Sequence, residues 1–207
     1  MSCTFAGWWR PLARWRLAAL GLAACIAGTA FGQGKPAATR LSLPERIKQC
    51  QSCHGEDGNS RIEKTPSLAG QPEFFVMNQL FLMREGVRRV EAMTPFDKDL
   101  KDDELVALAK HFSKLTPRPS DEAIDPALAK RGATLSASMR CASCHLPSLA
   151  GQQQMPRLAK QRIDYMIQAM KALRDNQRSG AETLMSATVF GIPDADLAAL
   201  AHFAASQ

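Results

Sequence analysis

Two pentapeptides hold most of the chemistry available to this chain: Cys50-Gln51-Ser52-Cys53-His54 and Cys141-Ala142-Ser143-Cys144-His145. Each reads C-x-x-C-H, the attachment sequence of c-type haem. Two thiols three positions apart near the end of a helix can each add across a haem vinyl group. The adjacent histidine then falls beneath the iron and supplies one axial ligand. A redox dithiol or half of a zinc site also uses C-x-x-C, but neither needs the trailing histidine. Zinc would further require four ligands gathered in one small unit, whereas these motifs start 91 residues apart. The expected cofactors are therefore two covalently bound haem c groups, each with its iron. Cys50, Cys53, Cys141 and Cys144 would attach them, and His54 and His145 would be proximal ligands.

The second axial ligand has to be chosen by position. Met93 lies 39 residues after His54 and Met185 lies 40 after His145, and each stands 12 residues before an apolar position of the last helix of its half, Leu105 and Leu197. These two methionines are the expected distal ligands, carried by the loop before that helix. Met77, Met83, Met166 and Met170 fall inside predicted helices, where methionine is a flexible core filler. The competing donors are His111 and His202, each 57 residues after its haem histidine. Both fall in a predicted closing helix, which favours a solvent-facing or hydrogen-bonded role.

The elements that must position these groups also occur twice. Thr65-Pro66-Ser67-Leu68-Ala69-Gly70-Gln71 follows the first motif and Met155-Pro156-Arg157-Leu158-Ala159-Lys160-Gln161 the second. Apolar spacing predicts helices over 72–85 and 162–175, with Pro72 at a first helical position and Gly86 as a stop. Closing helices carry Leu105, Leu108 and Phe112 in one half, and Leu197, Leu200 and Ala201 in the other. Asp102, Asp103 and Glu104 open the first of these, where acids favour the positive helix end. A helix over 127–139 leads into the second motif. No stretch alternates as a strand does, so the fold class is all-α, in two tandem units each wrapped around a haem. The Pro-rich segment 116–122 reads as the link between them.

The start of the chain indicates the compartment. Arg10, Arg14 and Arg16 precede an uncharged run of 14 residues, Leu17 to Ala30, followed by small residues, which is the layout of a secretory signal peptide. That run is shorter than the ~20 residues of a membrane-spanning helix. The resulting divisions are 1–32 for the leader, 33–120 for the first domain and 121–207 for the second. Leu22-Ala23-Ala24-Cys25 also resembles a lipobox, and lipidated Cys25 or a retained leader would place the protein on a membrane. Loss of the three leader arginines lowers the net charge from +6 to +3. That balance gives no support to nucleic-acid binding.

Taken together, C-x-x-C-H, the Pro-x-Leu-Ala-x-Gln segment, the methionine and the closing helix, each present twice and in order, resemble the dihaem class I cytochromes c of the cytochrome c4 type. The resemblance implies a periplasmic electron carrier, not an enzyme, working between a redox-protein donor and acceptor of a respiratory chain, a membrane oxidase or dehydrogenase among them. It also implies that Pro66 and Pro156 offer their carbonyls to the haem histidines. The chain departs from the family pattern where Leu41 stands in place of a helix-crossing glycine that Gly132 supplies in the second half, and where Leu146 replaces the glycine after the haem histidine. Two alternatives accompany the carrier reading. One is a fixed cytochrome subunit of a larger dehydrogenase or oxidase. The other is a dihaem peroxidase, which needs an open iron with acid–base groups beside it, whereas both halves here offer a methionine. Intact-mass measurement of the mature, acid-extracted protein should show two haems added to the polypeptide, and a mass lacking either would contradict the attachment sites.

Overall fold

The C-x-x-C-H segments adopt helical backbone in both halves, but by different routes. A computed structural model describes residues 40–180 and 183–207; the leader, its cleavage point and Cys25 lie outside the described residues. In the first half, α1 (Leu43–His54) runs unbroken through the motif, with Pro44 in its opening turn, where a missing N–H costs nothing. The Ser42 amide donates to Glu45 Oε2 at 2.7 Å to start it. In the second half, α5 (Pro126–Ser138) stops short, Arg140 turns to φ 55°, and the motif continues in the four-residue α6 (Ala142–His145). Asp125 starts α5, its Oδ1 accepting the Ala127 amide at 2.8 Å.

The remaining helices follow the apolar stripes closely. They are α2 (Glu73–Arg84), α3 (Thr94–Asp97) and α4 (Asp102–Ser113) in the first half, and α7 (Ile163–Arg174), α8 (Thr183–Val189) and α9 (Asp194–Ala205) in the second. Pro72 sits just before α2 rather than inside it, and Gly86 follows with φ 69°. Among the described residues there is no strand, only an isolated bridge between Gln152 and Met155. The fold is all-α.

Each half has its own apolar centre. Val76, Leu80, Leu105, Leu108 and Phe112 pack together in the first. Leu149, Ile163, Met166 and Ala201 form one cluster of the second, and Leu173, Val189 and Leu197 another. The 116–122 link is held at both ends. Asn59 accepts the Arg118 amide at 2.8 Å and donates to the Thr116 carbonyl at 3.1 Å. Glu122 takes the free amides of Ile163 and Asp164 at 2.7 and 2.8 Å, so a linker residue caps α7.

The helix crossings differ between the halves. A Cβ on Gly132 would lie 2.0 Å from the Ala199 carbonyl oxygen and 2.7 Å from Phe203 Cβ, so α5 and α9 touch backbone to backbone. Leu41, by contrast, precedes α1 altogether. There the buried Arg46 fills the helix interface, reaching Asp99 at 2.7 Å and Glu104 at 3.5 Å. Gly132→Ala should therefore destabilise the protein by about 3 kcal/mol, the upper end of overpacking costs because the obstacle is backbone. Denaturant unfolding should show a lower midpoint at unchanged slope, and a wild-type midpoint would show that the helices can separate freely.

Candidate haem-binding sites

Both motif histidines are buried, each 6% exposed. His54 Nδ1 lies 2.7 Å from the Pro66 carbonyl, and His145 Nδ1 lies 2.8 Å from that of Pro156. A carbonyl only accepts, so the proton sits on Nδ1 and the lone pair on Nε2. Burial pushes both imidazoles below their usual pKa, more than the carbonyl raises them. Each side chain is thus neutral at physiological pH with one nitrogen ready to bind a metal, and its ring is oriented by the bond at the other. The Pro66 and Pro156 expectations hold.

Each histidine directly follows its pair of motif thiols in the chain. Cys50, Cys53, Cys141 and Cys144 are all free, and burial pushes the Cys50 thiol up to about 11. Directly after each histidine the backbone turns to positive φ, +89° at Gly55 and +68° at Leu146. At Gly55 a Cβ would strike the Asn59 carbonyl at 2.4 Å. Leu146, with ψ 158°, holds a conformation that costs a side-chain-bearing residue on the order of 1–3 kcal/mol. The second motif therefore keeps the same exit direction at an energetic cost.

The two methionines are placed differently from the loop expectation. Met93 ends a short 3-10 turn over Glu91–Met93 and packs against the first core. Met185 lies within α8, half-buried against Leu173, Val189 and Leu197. Both sit in short helical segments before the closing helix rather than in open loop. Met77, Met83, Met166 and Met170 occupy α2 and α7. His202 Nδ1 is taken by the Asp125 amide at 3.0 Å, and the His111 ring packs edge-on to Phe112.

Three arginines test whether a haem fits here. Arg157 is 3% exposed; its Nε donates to the Ala69 carbonyl of the other half at 3.0 Å, its Nη1 donates to the Ala159 carbonyl, and its Nη2 has no partner. Burial lowers its pKa to about 10, which still leaves it charged. Arg88 and Arg178, one from each half, share Gln79 Oε1 at 2.6 and 3.2 Å, and each has an unpartnered Nε. Burial alone would raise the Tyr165 phenol, but the charges of Arg178 and Arg88 outweigh it and leave the hydroxyl below its ordinary pKa. Among the described residues none of the three arginines has a carboxylate partner. Buried charge without a counter-ion is costly. A cofactor that brings its own carboxylates fits this charge, as it fits the thiols and neutral imidazoles. Among the described residues no cluster of three or more His, Cys, Asp or Glu side chains could hold a bare metal ion.

Sequence reasoning assigned no role to two buried glutamines that join the halves. Gln161 pairs with the backbone of Ser67, and Gln71 with that of Arg157. The available signal was their equal offset, five residues after Pro66 and Pro156.

Known proteins match this arrangement. The cytochrome c family model matches residues 129–207, and that for cytochrome c oxidase, cbb3-type, subunit III matches residues 46–111. Cytochrome c4 of Thiocapsa roseopersicina is 32% identical over 168 residues, covering 74% of this chain and 84% of that protein. A thiosulfate dehydrogenase electron acceptor of Thiomonas intermedia is also 32% identical, over 82% of this chain and 83% of its own. The crystal structure of reduced recombinant cytochrome c4 from Pseudomonas stutzeri superposes with a TM-score of 0.71 at 27% identity, over 81% of this chain and 99% of that one. With two C-x-x-C-H sites and this fold, the chain belongs to the cytochrome c4 family of electron-carrying dihaem cytochromes, and it binds two covalent haem c groups through Cys50/Cys53 and Cys141/Cys144.

Proposed function

We propose that the protein is a periplasmic electron carrier, exported by the leader 1–32, in which residues 33–120 and 121–207 each hold one haem between a histidine and a methionine. The pairs are His54 with Met93 and His145 with Met185. The observation that carries this reading is the pair of buried neutral imidazoles, each fixed at Nδ1 by a proline carbonyl beside its two thiols. Bound there, the cofactor supplies one reversible electron step per iron. Met93 and Met185 would be the second protein ligands of the two irons, so the chain would present no open site for substrate and would make or break no substrate bond. Arg88, Arg157 and Arg178 receive haem propionates, which supply the counter-charge these side chains lack.

The partners in this reading are a redox-protein donor and acceptor, such as a membrane oxidase or dehydrogenase. A second reading, a cytochrome subunit fixed in a larger complex, is favoured by the similarity to the thiosulfate dehydrogenase electron acceptor. Gentle extraction of the native periplasm and membrane separates the two: a free carrier runs alone on size-exclusion chromatography, a subunit comigrates with its dehydrogenase.

Both ferric sites should be low-spin with a methionine-to-iron charge-transfer band. Met93→Ala and Met185→Ala should each remove about half of that band, because each is expected to supply one of two equivalent ligands. A variant that leaves the band intact has lost no ligand.

The haems should also titrate as two steps, the first domain lower. Glu56 and Asp57 follow the first motif and stabilise ferric iron, although Arg118 lies 3.4 Å from Asp57 and offsets part of its charge. The second site is covered by Leu149, 3% exposed, and has the buried guanidinium of Arg157 directly after Pro156. An apolar cover and a nearby cation both penalise the extra charge of the oxidised site and raise the potential. Spectroelectrochemistry of wild type beside Met93→His and Met185→His assigns each step, and a higher potential in the first domain would contradict the ordering.

A further inference from the structure

The peptide unit that receives each haem histidine is gripped on its other side by the opposite half of the molecule. The Pro66 carbonyl accepts His54 Nδ1–H at 2.7 Å, and the N–H of the same peptide unit, on Ser67, donates to Gln161 Oε1 at 2.8 Å. Gln161 Nε2 closes the pair by donating to the Ser67 carbonyl at 2.9 Å. In mirror fashion the Pro156 carbonyl accepts His145 Nδ1–H at 2.8 Å, and the Arg157 N–H donates to Gln71 Oε1 at 3.0 Å. Gln71 Nε2 donates back to the Arg157 carbonyl at 3.0 Å. Ser67, Gln71, Arg157 and Gln161 are all 2–3% exposed, so water does not compete for these bonds.

The chemical consequence follows from the sharing of one amide. A peptide whose N–H is engaged by a good acceptor becomes more polarised, and its carbonyl becomes a stronger acceptor in turn. A stronger acceptor at Nδ1–H makes the imidazole a better electron donor through Nε2. A better donor stabilises the oxidised metal and lowers its potential. The exchange is reciprocal, residue for equivalent residue, as in a twofold interface. Each half therefore acts on the other half's histidine.

We propose that Gln71 and Gln161 are crossed positioning residues: Gln71, in the first half, sets the potential of the second haem, and Gln161, in the second half, sets that of the first. The inference rests on the assignment of His54 and His145 as axial ligands. Loosening of the domains would release both bonds together, so the potentials report whether the halves are docked.

The test uses holoprotein carrying Gln71→Met or Gln161→Met, which keep side-chain volume but lose both hydrogen bonds to the opposite half, Gln161→Met losing also its acceptor for the Arg162 amide. Losing the polarisation of one hydrogen bond should change the reduction equilibrium about threefold, or roughly 30 mV for one electron. Gln71→Met should raise the second potential and leave the first near wild type; Gln161→Met should do the reverse. In the ferrous form the Nδ1–H resonance of the opposite histidine should move upfield, a change that mere loss of packing would not direct across the interface. Gln71→Glu and Gln161→Glu retain an accepting oxygen and should not raise the crossed potential. Gln71→Asn and Gln161→Asn, which shorten the reach without adding an apolar group, should give the same crossed sign at smaller size, and they decide the matter if the methionine variants do not mature. A shift confined to the variant's own domain, equal shifts in both, or no shift would overturn the proposal. Failure of the ligand assignment is separate, because it would already appear in wild type as loss of the two histidine-ligated low-spin spectra.

Discussion

The arrangement of both halves turns on one hydrogen bond, from a buried imidazole N–H to a proline carbonyl. Burial keeps the ring neutral, and the carbonyl fixes which nitrogen holds the proton. Proline suits this post because it has no N–H of its own to satisfy and its fixed φ limits the directions its carbonyl can take. The residues after it then run x-Leu-Ala-x-Gln in both copies. Leu68 and Leu158 pack against their own cores, while the glutamine turns outward to the other half. One short segment thus orients the local histidine and reaches the peptide unit that orients the distant one.

The two halves solve the same packing problem with different chemistry. In the second, Gly132 lets α5 and α9 meet backbone to backbone, and the α5 helix ends before the motif. In the first, α1 continues through the motif, and a nearly buried arginine shared by Asp99 and Glu104 stands where a close crossing would be. Arg46 and Asp99 each favour the charged form of the other, so this pair contributes stability that fades as Asp99 is protonated in acid. The glycine crossing has no such dependence. The two copies agree in the motif histidines and the proline carbonyls that orient them, and differ in how their helices cross.

Much of this was legible in the residues because it follows from local rules. The attachment motifs, the helical stripes and the Pro-rich link are each set by neighbours within a few turns, and the structure places helices there with shifts of about one residue. What was not legible depended on the other half. Gln71 and Gln161 are ordinary polar residues until their partners, about 90 positions away, are brought beside them. Arg88 and Arg178 lie just past the long helices of the two halves with no local sign of burial, yet they converge on Gln79 and Tyr165 at the boundary. The placement of Met185 within α8 was missed because seven residues are too few for a reliable periodic signal.

A polar, buried boundary between small domains carries its own argument about mechanism. Helical halves of this size have little apolar surface to spare for docking, and their boundary is built largely from amides and guanidiniums. Such groups stabilise only when every partner is in place, since a buried amide left unpaired costs about 1–3 kcal/mol. The interface is therefore close to all-or-none: the clamp amides and Arg157 on the Ala69 carbonyl form together or not at all. An interface of that kind holds the two sites in a fixed relation. A fixed relation is what passage of an electron between two centres in one chain requires, because small changes in separation and orientation would otherwise spread its rate.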